Sequence, residues 1–179
     1  MNKRTWLVLC VALAVLAVAV LLLVYSLPRS FSQIVTDPRD SFSSVALGMS
    51  HPTFGYLTTG ETYLRPEVES YKLEQAGDGS HADALYDILS GTTYRKSIRN
   101  LIPGMTDYIE SDGMGYSFTI GLSSGDRHWQ INILSDGKCS VILYDEGKSV
   151  LYKMTDPEVL ETLAAYVKQY GVETTNVKQ

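Results

Sequence analysis

Three cations, Arg95, Lys96 and Arg99, stand within five positions of one another in a chain whose remaining charge is mostly acidic. Guanidinium and ammonium groups at that spacing suit an anionic ligand, an acidic lipid surface or an acidic wall polymer. The same residues equally suit a charged edge strand that discourages pairing with other chains. Tyrosine is the second candidate chemistry. Tyr108, Tyr144 and Tyr152, with Tyr56 and Tyr63, fall in stretches that read as loops and strands. There a ring offers recognition area at low entropic cost, or simply half-buried sheet packing.

Reactive motifs are scarcer. Ser135-Asp136-Gly137-Lys138 has the Ser-x-x-Lys spacing, but that chemistry needs both side chains on one helix face, and Asp-Gly marks a hairpin turn. Gly77-Asp78-Gly79 leads toward a helix, yet a third glycine is missing and Asp78 repels phosphate, so it reads as a turn. His51, His81 and His128 have no helical pairing, and Asp78, Asp83 and Asp87 are too sparse for a calcium loop. No cofactor and no metal are therefore expected. Cys139 reads as a small buried side chain on a strand. A hydrolase assembled from dispersed residues would need one of the three histidines in a pocket beside a carboxylate and a hydroxyl or thiol.

These residues must be positioned by elements, and the hydropathy pattern supplies them. Val45, Leu47 and Met49 alternate with small or polar residues, as a strand buried on one face does. Residues 68–75 repeat that pattern. Ser80, with Asp83 three positions on, predicts a helix start. Ala82, Leu85, Tyr86 and Leu89 then line one helical face, and Gly91 ends it. Residues 94–100, which carry the cations, read as a strand. From Tyr116 to Met154 four alternating segments are separated by the turns Ser123–Asp126, Asp136-Gly137 and Asp145–Lys148. Thr155-Asp156-Pro157-Glu158 opens a last helix with Leu160, Leu163, Ala164 and Val167 on its apolar stripe. The expected class is α+β: an antiparallel β-meander sheet with two amphipathic helices on one face.

Ahead of this domain, Trp6 to Tyr25 is an unbroken apolar run of 20 residues. At 1.5 Å per residue it spans about 30 Å, the hydrocarbon thickness of a bilayer. Lys3 and Arg4 favour a cytoplasmic N-terminus, and Trp6 and Tyr25 suit the two interfaces. The expected organisation is a cytoplasmic tail over 1–5, a transmembrane anchor over 6–25 and a juxtamembrane linker over 26–40. An extracytoplasmic domain over 41–171 and a loose tail over 172–179 follow. The competing expectation is a signal peptide cleaved near Ser26, although the run exceeds the usual signal core. Cys10 lies inside the run, out of place for lipidation. Beyond Arg29 the chain holds 12 Lys and Arg against all 20 Asp and Glu, a net charge of −8. That acidity opposes nucleic acid as a partner.

One anchor, a strand, the helix over 80–91, the meander over 116–154 and the helix over 156–171 together resemble a group of bacterial surface proteins. These are the small anchored or lipidated extracytoplasmic proteins of unknown function of Gram-positive bacteria. The resemblance is one of architecture. It implies an envelope location, with no catalytic residues carried over. The leading expectation is a membrane-tethered extracytoplasmic binding or sensory module, without catalysis, that meets a protein partner in the envelope. An inhibitor or accessory protein of a cell-envelope enzyme is the alternative, and it calls for an exposed apolar or tyrosine-rich patch. A small hydrolase comes third.

Overall fold

The computed structural model describes residues 2–55, 65–76, 79–102 and 115–174, with backbone alone at 51–55, 65–68 and 75–76. Helix α1 (Lys3–Tyr25) takes in the whole apolar run. Its 23 residues make it long and apolar enough to cross a membrane, and none of them is buried against the domain. A helix satisfies its internal backbone groups itself, so this one can be surrounded by hydrocarbon.

Three residues beyond α1, Ser26 to Pro28, the chain reaches Arg29. Its N–H and C=O bond the C=O and N–H of Tyr94, each at 2.8 Å. Helix α2 (Phe31–Ile34) follows as a single docked turn, and both side chains are buried. A Ser30–Gln33 capping box starts it, with the Ser30 N–H donating to Gln33 Oε1 at 2.9 Å.

The strands are β1 (Ser44–Gly55), β2 (Arg65–Ala76), β3 (Tyr94–Lys96), β4 (Ser117–Ser124), β5 (Arg127–Leu134), β6 (Lys138–Leu143), β7 (Lys148–Met154) and β8 (Val172–Glu173). They form one sheet in the order β3-β7-β6-β5-β4-β1-β2-β8. Every neighbouring pair is antiparallel. Helix α3 (Ser80–Ser90) carries the chain from β2 to the opposite edge at β3, and α4 (Val159–Tyr170) carries it back from β7 to β8. The fold is thus α+β, with both crossings made over one face.

Register explains the core. A cross-strand row on the covered face reads Leu73, Leu47, Ile120, Ile131, Val141 and Val150. The helices close over it with Ala82, Leu85, Tyr86 and Leu89 and with Leu160, Leu163, Ala164 and Val167. Each fully buried Leu or Ile contributes about 1.5–3 kcal/mol. The next row, on the uncovered face, reads Lys72, Gly48, Thr119, Asn132, Ser140 and Leu151.

Four boundaries differ from the sequence pattern. The strand expected over 94–100 stops at Lys96 and becomes a 3₁₀ turn over Ile98–Leu101. There Asn100 replaces the backbone ladder: its Nδ2 donates to Leu151 O at 2.7 Å and its Oδ1 accepts from Leu151 N at 2.8 Å. Gly79, at φ +74°, takes the cap of α3, and Ser80 is already helical. Helix α4 starts at Val159, after Asp156 Oδ1 has accepted from the Glu158 N–H at 3.1 Å. In the expected tail, Val172 and Glu173 pair with Lys72 and Tyr71 of β2.

Candidate functional site

The edge of the sheet at β3 holds a concentration of positive charge. Tyr94 on β3, and Tyr152 and Met154 on β7, face the core. Strand alternation therefore turns Arg95 and Lys153 to the uncovered face. Arg95 pairs with Lys153, and Lys153 pairs with Lys138 of β6. Three cations stand in one row across three strands, at about 4.8 Å per strand. Directly opposed like charges destabilise a sheet, so this row costs stability unless something negative meets it.

The 3₁₀ turn adds Arg99. It folds beside β7 because the Ser97 N–H donates to Leu151 O at 2.9 Å and the Ser97 hydroxyl accepts from the Arg99 N–H at 3.2 Å. Between the turn and the strands lies a cleft of about 330 Å³. Arg95, Lys96, Arg99, Lys138 and Lys153 all line it, over a floor that includes Leu151 and Tyr152.

Among the described residues only Lys138 of these five has an ion pair, to Asp136 at 2.8 Å. Burial raises the Asp136 carboxyl, but hydrogen bonds from Lys138 and the charges of Lys138 and Lys153 outweigh it and hold Asp136 below the usual carboxylate value. Burial, then repulsion from Arg29, pulls the Lys96 ammonium below the usual lysine value. The Lys96 Nζ sits 5.6 Å from the centroid of the Tyr25 ring, at the end of α1. Among the described residues, those that line the cleft carry a net positive charge in a negatively charged domain. Chemically it can neutralise and orient an anion.

The three cations expected from sequence are thus brought together. The tyrosines are not. Tyr152 is 7% exposed and its ring belongs to the core, where burial raises its hydroxyl above the usual tyrosine value. Tyr144 is 58% exposed on the turn between β6 and β7, and its hydroxyl donates to Gln130. Tyr108, Tyr56 and Tyr63 lie outside the described residues. Lys138 and Lys153 were not singled out by sequence. Their alternation with Cys139 and Tyr152 put them on the polar face, but only the strand order shows that they meet Arg95.

The histidines are placed apart. His51 is on β1, with only its backbone described. His81, on α3, has its Nδ1 2.7 Å from the Tyr166 hydroxyl, within a cluster of Tyr166 and Tyr170 rings. His128, on β5, faces Ser123 across the ladder with Nδ1 3.1 Å from Ser123 Oγ. Ser123 also centres a Gly-x-Ser-x-Gly spacing, Gly121-Leu122-Ser123-Ser124-Gly125. That spacing serves a nucleophile on a strained strand-to-helix turn. Here it runs from one strand into the next, and no non-glycine residue described has a positive φ. Asp145 accepts from the His128 backbone N–H at 2.9 Å, and among the described residues no carboxylate bonds the imidazole to orient it.

Cys139 is buried and desolvation pushes its thiol up to about 12, as suits an inert core residue. Among the described residues no group of three His, Cys, Asp or Glu is placed to hold a metal ion. No protein-family model matches the chain, and no curated protein or solved structure matches it significantly.

Proposed function

We propose that the chain is a membrane-tethered extracytoplasmic binding module whose ligand is anionic. The observation that carries this reading is the cleft: five cations, four of them without an ion pair among the described residues, in a region of net charge −8. A cluster of cations attracts and concentrates counter-ions. The tether holds the domain at a surface, where even weak contacts are reinforced by local concentration.

The test is calorimetric titration of the full chain, in zwitterionic nanodiscs, with inorganic tripolyphosphate. Saturable binding that weakens with salt is expected. Arg95→Glu and Lys153→Glu are each expected to weaken it roughly tenfold, equivalent to about 1.4 kcal/mol. Absence of saturable binding, or affinity indifferent to both substitutions, would reject the reading.

The accessory-protein reading needs an apolar or tyrosine-rich patch. The mostly polar row from Lys72 to Ser140 on the uncovered face does not supply one, so this reading would have to use the exposed Ile98, Leu101 and Ile102 at the edge. The hydrolase reading has one observation in its favour, the Ser123–His128 contact. It asks for covalent capture of Ser123 by a fluorophosphonate, which the missing carboxylate contact leads us not to expect.

A further inference from the structure

We infer that the β3 edge and the 3₁₀ turn after it dock onto the bilayer that α1 crosses, with the cations of the cleft on anionic lipid headgroups. The inference rests on the binding reading above and on α1 spanning the membrane.

The chain direction places this edge at the interface. From Tyr25 the linker runs away from the membrane to Arg29, which pairs antiparallel with Tyr94. An antiparallel partner retraces the path, so Tyr94 to Lys96 runs back toward the membrane. Lys96 over the Tyr25 ring marks the level it reaches. The 3₁₀ turn begins two residues further on, at the height of the end of α1.

What the turn exposes is suited to lipid. Outside α1, the large apolar side chains exposed among the described residues are Leu27, Ile98, Leu101, Ile102, Tyr144, Tyr170 and Val172. Three of these seven, Ile98, Leu101 and Ile102, belong to this one turn and its cap, and Leu27 lies on the linker that leads to Arg29. Ile98 is 62% and Leu101 54% exposed, on either side of Arg99. Apolar side chains interleaved with cations are what an interfacial segment presents to the headgroup and acyl boundary. An acidic wall polymer matches the cations but has no use for Ile98 or Leu101. Charge complementarity selects the same edge, because an anionic leaflet repels the acidic remainder of the domain and attracts this side, within about 8 Å at physiological salt.

The experiment uses the full chain carrying Cys10→Ala, with an environment-sensitive fluorophore on Ile98→Cys and, as reference, on Thr162→Cys in α4. The protein is reconstituted in phosphatidylcholine alone or with phosphatidylglycerol added. The label at 98 is expected to shift to the blue and lose access to a soluble quencher severalfold when phosphatidylglycerol is present. High salt, or Arg95→Glu with Arg99→Glu, is expected to reverse this. The label at 162 is expected to stay aqueous throughout. A label at 98 that stays aqueous on phosphatidylglycerol, or responds equally with both arginines reversed, overturns the docking.

Leu101→Ser separates the two readings: it is expected to weaken the lipid response and leave tripolyphosphate binding unchanged. If tripolyphosphate binds while position 98 never leaves water, the anion site stands and the lipid assignment falls. The same holds if soluble polyglycerol phosphate binds in place of lipid. Release of the chain by alkaline carbonate would instead show that α1 is no anchor and remove the premise.

Discussion

Cys139 and Tyr94 are acids whose protons the core protects. Burial lifts the Cys139 thiol from 9.0 to about 12 and the Tyr94 hydroxyl well above its ordinary 10.0. Tyr94 also donates to Leu89 O at 2.8 Å, capping the end of α3. For an acid raised in the folded state, the stabilisation is complete below the unfolded value and drains away as pH rises toward the folded one. From neutral pH upward, thermal melts should therefore hold steady until the pH nears the unfolded thiol value of 9.0 and then fall, first as the unfolded Cys139 ionises and then as the unfolded Tyr94 does. Cys139→Ala should shallow that alkaline slope whatever it does to the melting temperature at neutral pH. An unchanged slope would mean that the thiol is not shielded as its burial implies.

The 3₁₀ turn that carries Arg99 is held by a side chain acting as backbone. The Ser97 N–H makes one ladder bond, to Leu151 O, and Asn100 accepts from the Leu151 N–H in place of a strand carbonyl while also donating to Leu151 O. Asn100→Ala leaves that amide to water, at a cost of about 1 kcal/mol. Hydrogen exchange at the Leu151 amide should accelerate by roughly fivefold, with amides of β5 unaffected, since a local opening does not reach the central strands. Equal acceleration across the sheet would show instead that the turn is part of the global core.

Elements of this kind were legible in uneven measure. Leu160, Leu163, Ala164 and Val167 declare a helix because the 3.6 period is written in consecutive residues. The alternation of Phe118, Ile120 and Leu122 declares a strand for the same reason. Ser97 and Asn100 gave no such warning, because a side chain that takes the place of a ladder leaves the apolar pattern unchanged. Strand order left no trace either. Lys138 and Lys153 are 15 positions apart, and both lie more than 35 positions beyond Arg99. Their meeting with Arg95 depends on β3 adding to β7 after α3 has crossed the sheet.

The attachment of α1 and its linker to the domain is a matter of the complete fold. After α2 the linker is fastened again at Asp37, which is 7% exposed. Its carboxylate accepts from Arg127 at 2.5 Å and from the Trp129 indole N–H at 2.7 Å. Arg127 also lies 5.3 Å from the Trp129 ring centroid. Asp37→Ala strands a buried donor and should cost about 2–4 kcal/mol in chemical denaturation. Asp37→Asn keeps an acceptor for the indole and should cost less. Equal losses would assign the whole effect to the charge of Arg127.

The bridge between Arg29 and Tyr94 also decides how the domain bears a mechanical load. Any pull between α1 and the domain passes through Ser26 to Pro28 and arrives first at those two hydrogen bonds. Behind them stands Phe31, fully buried against Tyr86 and Tyr94 at ring separations of 5.0 and 5.9 Å. Tension is thus taken up by the linker's own seam before it reaches the sheet. So short a leash, three residues long, leaves little slack between α1 and the domain.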